Sequence, residues 1–469
     1  MNYAGKYQGT LHTYCAEFDY TDPITFTIDE SGYIDLPYSS QGTLNDGKID
    51  ADGNISGISI TVTSMSLGRL TINYIARDDG KDFYGSGTSI NGITSTIQAT
   101  LISTPTTTPS ITPSFSAADL KLQNFGTTAS AGGWTSDNQY RRTMADVNGD
   151  GRADIVGFGV AGTYVALADG KGSFGDAQLK LQNFGAGVFA GGWSNDDLFH
   201  RELADVNGDG RADIVGFGAA GTYVALADGK GGFGDAQLKL QNFGTTAGAG
   251  GWASQDRYHR EVADVNGDGR ADIVGFGEAG VYVSLADGKG GFGDAQLKLQ
   301  NFGAGVSAGG WSNDDLFHRE LADVNGDGRA DIVGFGAAGT YVALADGKGG
   351  FGDAQLKLQN FGTTAGAGGW SSQDRYHRTL ADVNGDGRAD IVGFGGAGTY
   401  VALADGSGGF LTAKLRLDNF GTSGAAGGWS SDDLFHREVV DVSGDGRADI
   451  VGFGAAGVYV ATSLNNWTA

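Results

Sequence analysis

The chain has 469 residues, 84 of them glycine and 5 proline, with 40% hydrophobic and 10% aromatic side chains and a formal net charge of −24. That much glycine without a Gly-X-Y period excludes collagen. The apolar content is enough for a packed core, so the glycines serve turns in an all-β chain. The charge excludes a nucleic-acid backbone or an anionic membrane surface as the main partner, and a single cysteine, Cys15, excludes an internal disulfide.

The opening MNYAGKYQGTLHTY lacks the basic and apolar regions of a signal peptide, and no stretch approaches the ~20 apolar residues of a spanning helix. No membrane insertion is expected. Within residues 1–101, the runs PITFTIDE, ISITVTSM, LTINYIAR and ITSTIQATL alternate with hairpin signals at Asp46-Gly47, Asp52-Gly53, Asp79-Gly80 and Asn91-Gly92. They predict a small antiparallel barrel or sandwich of seven or eight strands. Such a domain could hold a ligand, mediate a homo-oligomer or add a second binding activity. Residues 102–115, ISTPTTTPSITPSF, have the composition of a semi-extended linker.

From about Ser116 to Ala469 the phrase DVNGDGRADIVGFG recurs with close variants, opening on Asp146, Asp205, Asp264, Asp323, Asp382 and Asp441 at a spacing of 59 residues. One unit reads as four short strands, HRELADV, ADIVGFG, GTYVALA and QLKLQNF, divided by glycine turns. Four strands per repeat predict the blade of a six-bladed β-propeller. The repeats start part-way through a unit, at FSAADLKLQNF, and the chain stops after VYVATSLNN, so the first strand is expected to complete the last blade. A second period is nested within: AGGWSNDDLFHREL surrounds Trp193 and Trp311, and AGGW(A/S)SQDRYHR surrounds Trp252 and Trp370.

In DVNGDGRAD, oxygen-bearing side chains fall at positions 1, 3, 5 and 9 with glycine at 6, the arithmetic of the first half of an EF-hand loop. Hard oxygen donors favour structural Ca²⁺. The expected ligands are Asp146, Asn148, Asp150 and Asp154; Asp205, Asn207, Asp209 and Asp213; Asp264, Asn266, Asp268 and Asp272; Asp323, Asn325, Asp327 and Asp331; Asp382, Asn384, Asp386 and Asp390; and Asp441, Ser443, Asp445 and Asp449. The alternative is a turn held by side-chain-to-backbone hydrogen bonds. Loops of this kind fill at roughly 10⁻⁴–10⁻³ M calcium, which implies a secreted or cell-surface setting.

The connection between blades, NFGAGVFAGGWSNDDLFHRE, is the part of the unit where large aromatics sit among polar and charged side chains. Tryptophan there could present its face to a sugar ring while arginine and histidine donate to hydroxyls, or it could fill the wedge between twisted sheets while arginine pairs with aspartate. If the segment is extended, adjacent His200 and Arg201 lie on opposite faces.

The series NFG…AGGW…R…AD…GD…(A/S)D(I/V)VGFG…(V/T)Y(V/I) resembles the repeat of the Psathyrella velutina lectin family, among the FG-GAP-type propellers. The resemblance covers about residues 116–469. It implies sugar sites between adjacent blades, with ligands of the N-acetylglucosamine or fucose type. The matching residues are Trp134, Trp193, Trp252, Trp311, Trp370 and Trp429 with Arg142, Arg201, Arg260, Arg319, Arg378 and Arg437. Two positions before that arginine, where the family commonly has histidine, stand Phe199, Tyr258, Phe317, Tyr376 and Phe435; His200, His259, His318, His377 and His436 directly precede it. The first unit reads Tyr140-Arg141-Arg142, giving five equivalent sites and one variant. The family's ring also has seven blades rather than six. The expected function is a multivalent, non-enzymatic lectin whose partners are glycans, with a protein-adhesion propeller as the alternative. No catalytic constellation stands out; Asp196 and Asp197 read as a solvated turn.

Overall fold

The computed structural model describes residues 113–468 and, in the first unit, the backbone of ten strands between Gly5 and Ser103. The chain divides into two units, residues 1–111 and 112–469. Residues 104–112, most of the expected linker, lie outside the described residues, as do the turns at Asp52-Gly53, Asp79-Gly80 and Asn91-Gly92.

In the first unit, Gly5–Cys15 pairs antiparallel with both Phe18–Ile28 and Thr94–Ser103. Asp82–Thr88 joins Thr94–Ser103 to Gly68–Asp78, which closes a circuit of pairings through eight strands. Gly42–Asn45 and Ser59–Ser64 extend the sheet from Gly68–Asp78, making ten strands where the sequence suggests seven or eight.

The second unit is a six-bladed propeller of four-stranded antiparallel sheets. In the second blade the strands are Arg201–Ala204, Asp213–Phe217, Thr222–Ala225 and Gln237–Leu240, from the centre outward. Asp213–Phe217 is buried throughout because neighbouring blades cover both its faces, which is why ADIVGF carries no polar alternation. Gln237–Leu240 is partly solvated and keeps its lysine. Val156 and Phe158 of the first blade pack with Phe184, Trp193, Ile214 and Ala225 at the second, and six such clusters fill the six junctions. Fully burying each of these side chains is worth roughly 1.5–3 kcal/mol, so the ring is held mainly between blades.

Closure follows the expectation from the chain ends. Asp119–Leu122 pairs antiparallel with Val458–Ala461 and supplies the fourth strand of the sixth blade. Leu464 N–H donates to Ser114 O at 2.8 Å, and Phe115 meets Trp467 edge-on at 5.2 Å. Ser114, within the stretch read as linker, and Phe115, where the repeats begin, are buried parts of the propeller. Helix among the described residues is limited to single 3-10 turns such as Val188–Ala190, none long and apolar enough to cross a membrane.

The glycines of VGFG make room for the tryptophan. A Cβ on Gly216 would lie 2.5 Å from Phe184 Cε1 and 2.7 Å from Trp193 Cη2. Gly216→Ala is expected to destabilise the propeller by about 1–3 kcal/mol through overpacking, read as a lower melting temperature. An unchanged melt would show that both rings can retreat.

Candidate functional site

Each connection begins with an Asn-Phe-Gly corner. Asn242 Oδ1 accepts the Phe243 N–H at 2.7 Å and holds that phenylalanine at φ 56°, a left-handed conformation costly for a non-glycine residue. The chain then makes a 3-10 turn at Ala247–Ala249, and Trp252 N–H returns to Gly244 O at 2.9 Å. Trp252 is 7% exposed, with Phe243 at 5.0 Å and Tyr258 and Tyr282 edge-on at 6.0 Å each. Its bulk fills the wedge while it also lines a well.

That well has a volume of ≈320 Å³ and is bounded by Asn242, Gly250, Trp252, Tyr258, Glu278 and Tyr282. Two blades on, Asn360, Gly368, Trp370, Tyr376, Gly396 and Tyr400 line its counterpart of ≈350 Å³. In the first, Tyr258 Oη donates to Glu278 Oε2 at 3.3 Å, and Arg257 reaches the same oxygen at 3.0 Å with its guanidinium 5.2 Å from the Tyr258 ring centre. Gly396 replaces Glu278 in the second, which removes a carboxylate from the rim. Sequence reasoning named Trp252, Tyr258, Trp370 and Tyr376 but missed Asn242, Glu278, Tyr282 and their counterparts. Asn242 and Tyr282 stand in recurring motifs, NFG and the third strand, that read as turn and strand.

The remaining aromatic candidates pack in the same way: Trp134 on Tyr140, Trp193 on Phe199, Trp311 on Phe317 and Trp429 on Phe435, at 5.9–6.1 Å between rings. The arginines do not join them at a surface. Arg142, Arg201, Arg260, Arg319, Arg378 and Arg437 are each 0% exposed. Arg201 Nη1 donates to Phe184 O at 3.0 Å and Trp193 O at 3.4 Å, and Nε and Nη2 donate to Asp196 Oδ1. Its guanidinium lies 5.1 Å from the Phe158 ring of the preceding blade. Loop carbonyls and a neighbouring side chain use the guanidinium, the pairing that the sequence offers as the alternative to donation to sugar hydroxyls. In blades three and five, glutamine replaces that aspartate: Arg260 Nε donates to Gln255 Oε1 and Arg378 Nε to Gln373 Oε1, each at 3.0 Å. Burial beside a neutral partner pulls both arginines down to about 10.

The histidines also part from the tryptophans. His200, His259, His318, His377 and His436 face the opposite way from the adjacent arginines and line a central cavity of ≈480 Å³ built by all six blades. Arg141 takes the histidine position in the first blade and lies 3.3 Å from Asp137, 3.7 Å from Asp196 and 3.6 Å from Glu202. The histidines alternate in character. Burial opposes a charge on His318, but Asp314 outweighs it and raises the group to about 9; His436, facing Asp137 and Asp432, rises to about 10 against the same opposition. Burial prevails at His259, which is held well below its ordinary value, and at His377, which falls to about 3.

The acidic loops lie apart from both wells and channel. Asp205 Oδ1 accepts the amides of Asn207, Gly208 and Asp209, and Oδ2 accepts Gly210 N–H at 2.7 Å. Gly210 has φ 81°, the left-handed turn expected of the sixth loop position. Asp213 is buried, with Oδ1 accepting Ala227 N–H and Oδ2 accepting Val206 N–H, and burial raises it to about 7. Asp209 pairs with Arg211. The other five loops repeat the cradle of amides on their first aspartate. Each loop is thus closed by its own backbone, with oxygen donors of a kind that suits calcium.

A family model described as an FG-GAP-like repeat matches residues 323–393. Among solved structures, an Agrocybe aegerita lectin described as specifically recognising non-reducing terminal N-acetylglucosamine is 37% identical, over 92% of this chain and 90% of that one, with a TM-score of 0.58. The Photorhabdus luminescens Tc holotoxin pore is 13% identical at a TM-score of 0.46, and this chain spans 23% of it. The curated proteins give no significant match. By its repeated blades and by its 37% identity over nearly the whole of both chains, this chain belongs to the family of the Agrocybe aegerita lectin.

Proposed function

We propose that the propeller is a multivalent lectin that takes N-acetylglucosamine-type sugars into the wells beside Trp252 and Trp370. The observation that carries this reading is the pairing of those wells with a 37% identical relative described as recognising non-reducing terminal N-acetylglucosamine. Volumes of ≈320 and ≈350 Å³ are at the lower end for ligand pockets and suit a single sugar. Tryptophan and two tyrosines supply apolar surface for the C–H face of the ring, while Asn242, the tyrosine hydroxyls and, in one well, Glu278 supply polar partners. Single sites of this size bind weakly; several on one ring raise avidity on a glycan-bearing surface by roughly 10²–10⁴. Glycans are the proposed partners, bound rather than turned over.

Calcium in the six acidic loops is part of the proposal. The amide cradle under each first aspartate preorganises the loop, and an ion would add ligand oxygens from positions 3 and 5. A secreted or cell-surface setting accords with the calcium levels such loops need.

Two measurements test these points. Titration of the full chain with N-acetylglucosamine should give binding heat that fucose does not match, and Tyr282→Phe with Tyr400→Phe should weaken it roughly three- to tenfold while leaving the melt unchanged. No heat with either sugar, or full affinity in the double variant, would overturn the assignment. For the loops, calcium at tenfold above its dissociation constant should stabilise by about 1.4 kcal/mol per site, read as a higher melting temperature than in chelator. Equal melts would leave the loops as backbone-held turns.

A further inference from the structure

The channel carries a second constellation, independent of the wells. Four residues before the histidine position, aspartate and glutamine alternate from Asp196 to Asp432, and each of these aspartates serves two neighbours. Asp196 lies 3.7 Å from Arg141 and 2.5 Å from His200; Asp314 lies 3.6 Å from His259 and 2.6 Å from His318; Asp432 lies 3.5 Å from His377 and 2.7 Å from His436. At the first of these junctions the protein supplies the cation itself, as Arg141. At the second, His259 stands in that place, 2.8 Å from Glu261 and 3.6 Å from Asp314.

The hydrogen bonds fix that histidine's tautomer. Arg260 N–H and Nε–H both donate to Gln255 Oε1, so the Gln255 amide nitrogen, 3.1 Å from His259 Nδ1, is the donor there. His259 Nδ1 therefore presents a lone pair, and its Nε2–H donates to Glu261 Oε1 at 2.8 Å. That lone pair accepts from the Gln255 amide, and Nδ1 also lies 3.6 Å from Asp314 Oδ1. Across the site, Glu320 Oε2 is shielded from solvent, makes no hydrogen bond, and lies 3.4 Å from His318 Nε2. Imidazoles and carboxylates converge at this junction, in the place Arg141 takes next door, with Arg319 Nη2 holding Asp314 Oδ1 at 3.3 Å and His318 Nδ1 holding Oδ2 at 2.6 Å.

We infer that His259, Asp314 and His318 form a transition-metal site, best matched to Zn²⁺, that staples blade three to blade four. Their ligand atoms all lie within 4.8 Å of one another, and a tetrahedral zinc with bonds near 2.0–2.1 Å holds its ligands roughly 3.3 Å apart, a contraction that side-chain rotation can supply. Two nitrogens and one carboxylate oxygen are zinc's preferred donors, and the channel offers water for a fourth position. Glu261 behind His259, and Glu320 beside His318, are the outer carboxylates that orient metal-bound imidazoles. The sister junctions differ: His377, Asp432 and His436 recur at one of them, but only His259, Asp314 and His318 bring their ligand atoms within 4.8 Å of one another among the described residues. Arg141 fills one, and at the other Thr379 replaces the backing glutamate and donates to Glu320 Oε1 at 2.8 Å. One site per chain follows.

The test is titration of the full, chelator-stripped chain with ZnCl₂ in the presence of excess calcium, followed calorimetrically, and with Co²⁺, followed by visible ligand-field bands. Wild type and His377→Gln should each bind one equivalent, while His259→Gln and His318→Gln should lose it. Absence of stoichiometric binding to wild type, or its retention in His259→Gln, overturns the inference. Should His259→Gln fail to fold, Glu261→Gln decides: it should weaken zinc binding roughly 10–100-fold, and unchanged affinity would contradict the site.

Discussion

The guanidinium buried at the start of each inner strand is the constraint on which the rest of the propeller depends. Removing a charge from water costs several kcal/mol, and the group is tolerated only because it is answered almost completely. Arg201 binds the carbonyls of Phe184 and Trp193 and the carboxylate of Asp196, and it lies against Phe158 of the preceding blade. One side chain thereby fixes the left-handed phenylalanine corner, the tryptophan turn and the junction between blades. Each such charge-assisted bond is worth about 1.5–3 kcal/mol, enough together to offset the desolvation and the strain at Phe184. One guanidinium nitrogen is left without a hydrogen bond at Arg260, Arg319, Arg378 and Arg437, in glutamine and aspartate blades alike.

With the arginine turned into the wall, strand alternation sends its neighbours elsewhere. The histidine before it faces the channel, and the aromatic before that packs on the tryptophan at the well. Three consecutive residues thus serve three environments. The two-blade alternation in sequence acts on two of them at once. In the blades reading QDRYH, tyrosine and arginine furnish the rim of the well while burial beside glutamine holds the channel histidine low; in those reading DDLFH, phenylalanine packs on the tryptophan while aspartate raises the histidine. Wells and channel are two ends of one short segment.

Much of this was legible in the sequence. The 59-residue period, the four strands per unit and the incomplete first repeat together specify a six-bladed ring closed by its own ends. The site was less legible, for a physical reason. Arginine, histidine and tryptophan each suit a sugar, but the arginine's partners are backbone carbonyls, which no sequence motif displays. The tryptophan could be read as ligand surface or as filler, and it is largely filler with a contribution to a well. Asn242 and Tyr282 escaped notice because their motifs, NFG and the third strand, already had a structural explanation.

A crystal structure of the full chain grown with N-acetylglucosamine and calcium tests the separation of roles most directly. Sugar is expected in the wells against Trp252, Tyr282, Trp370 and Tyr400, with Arg260 and Arg378 still bound to Phe243 O and Phe361 O. Sugar lodged in the channel on the histidines, or an arginine withdrawn from the wall to meet it, would contradict that assignment.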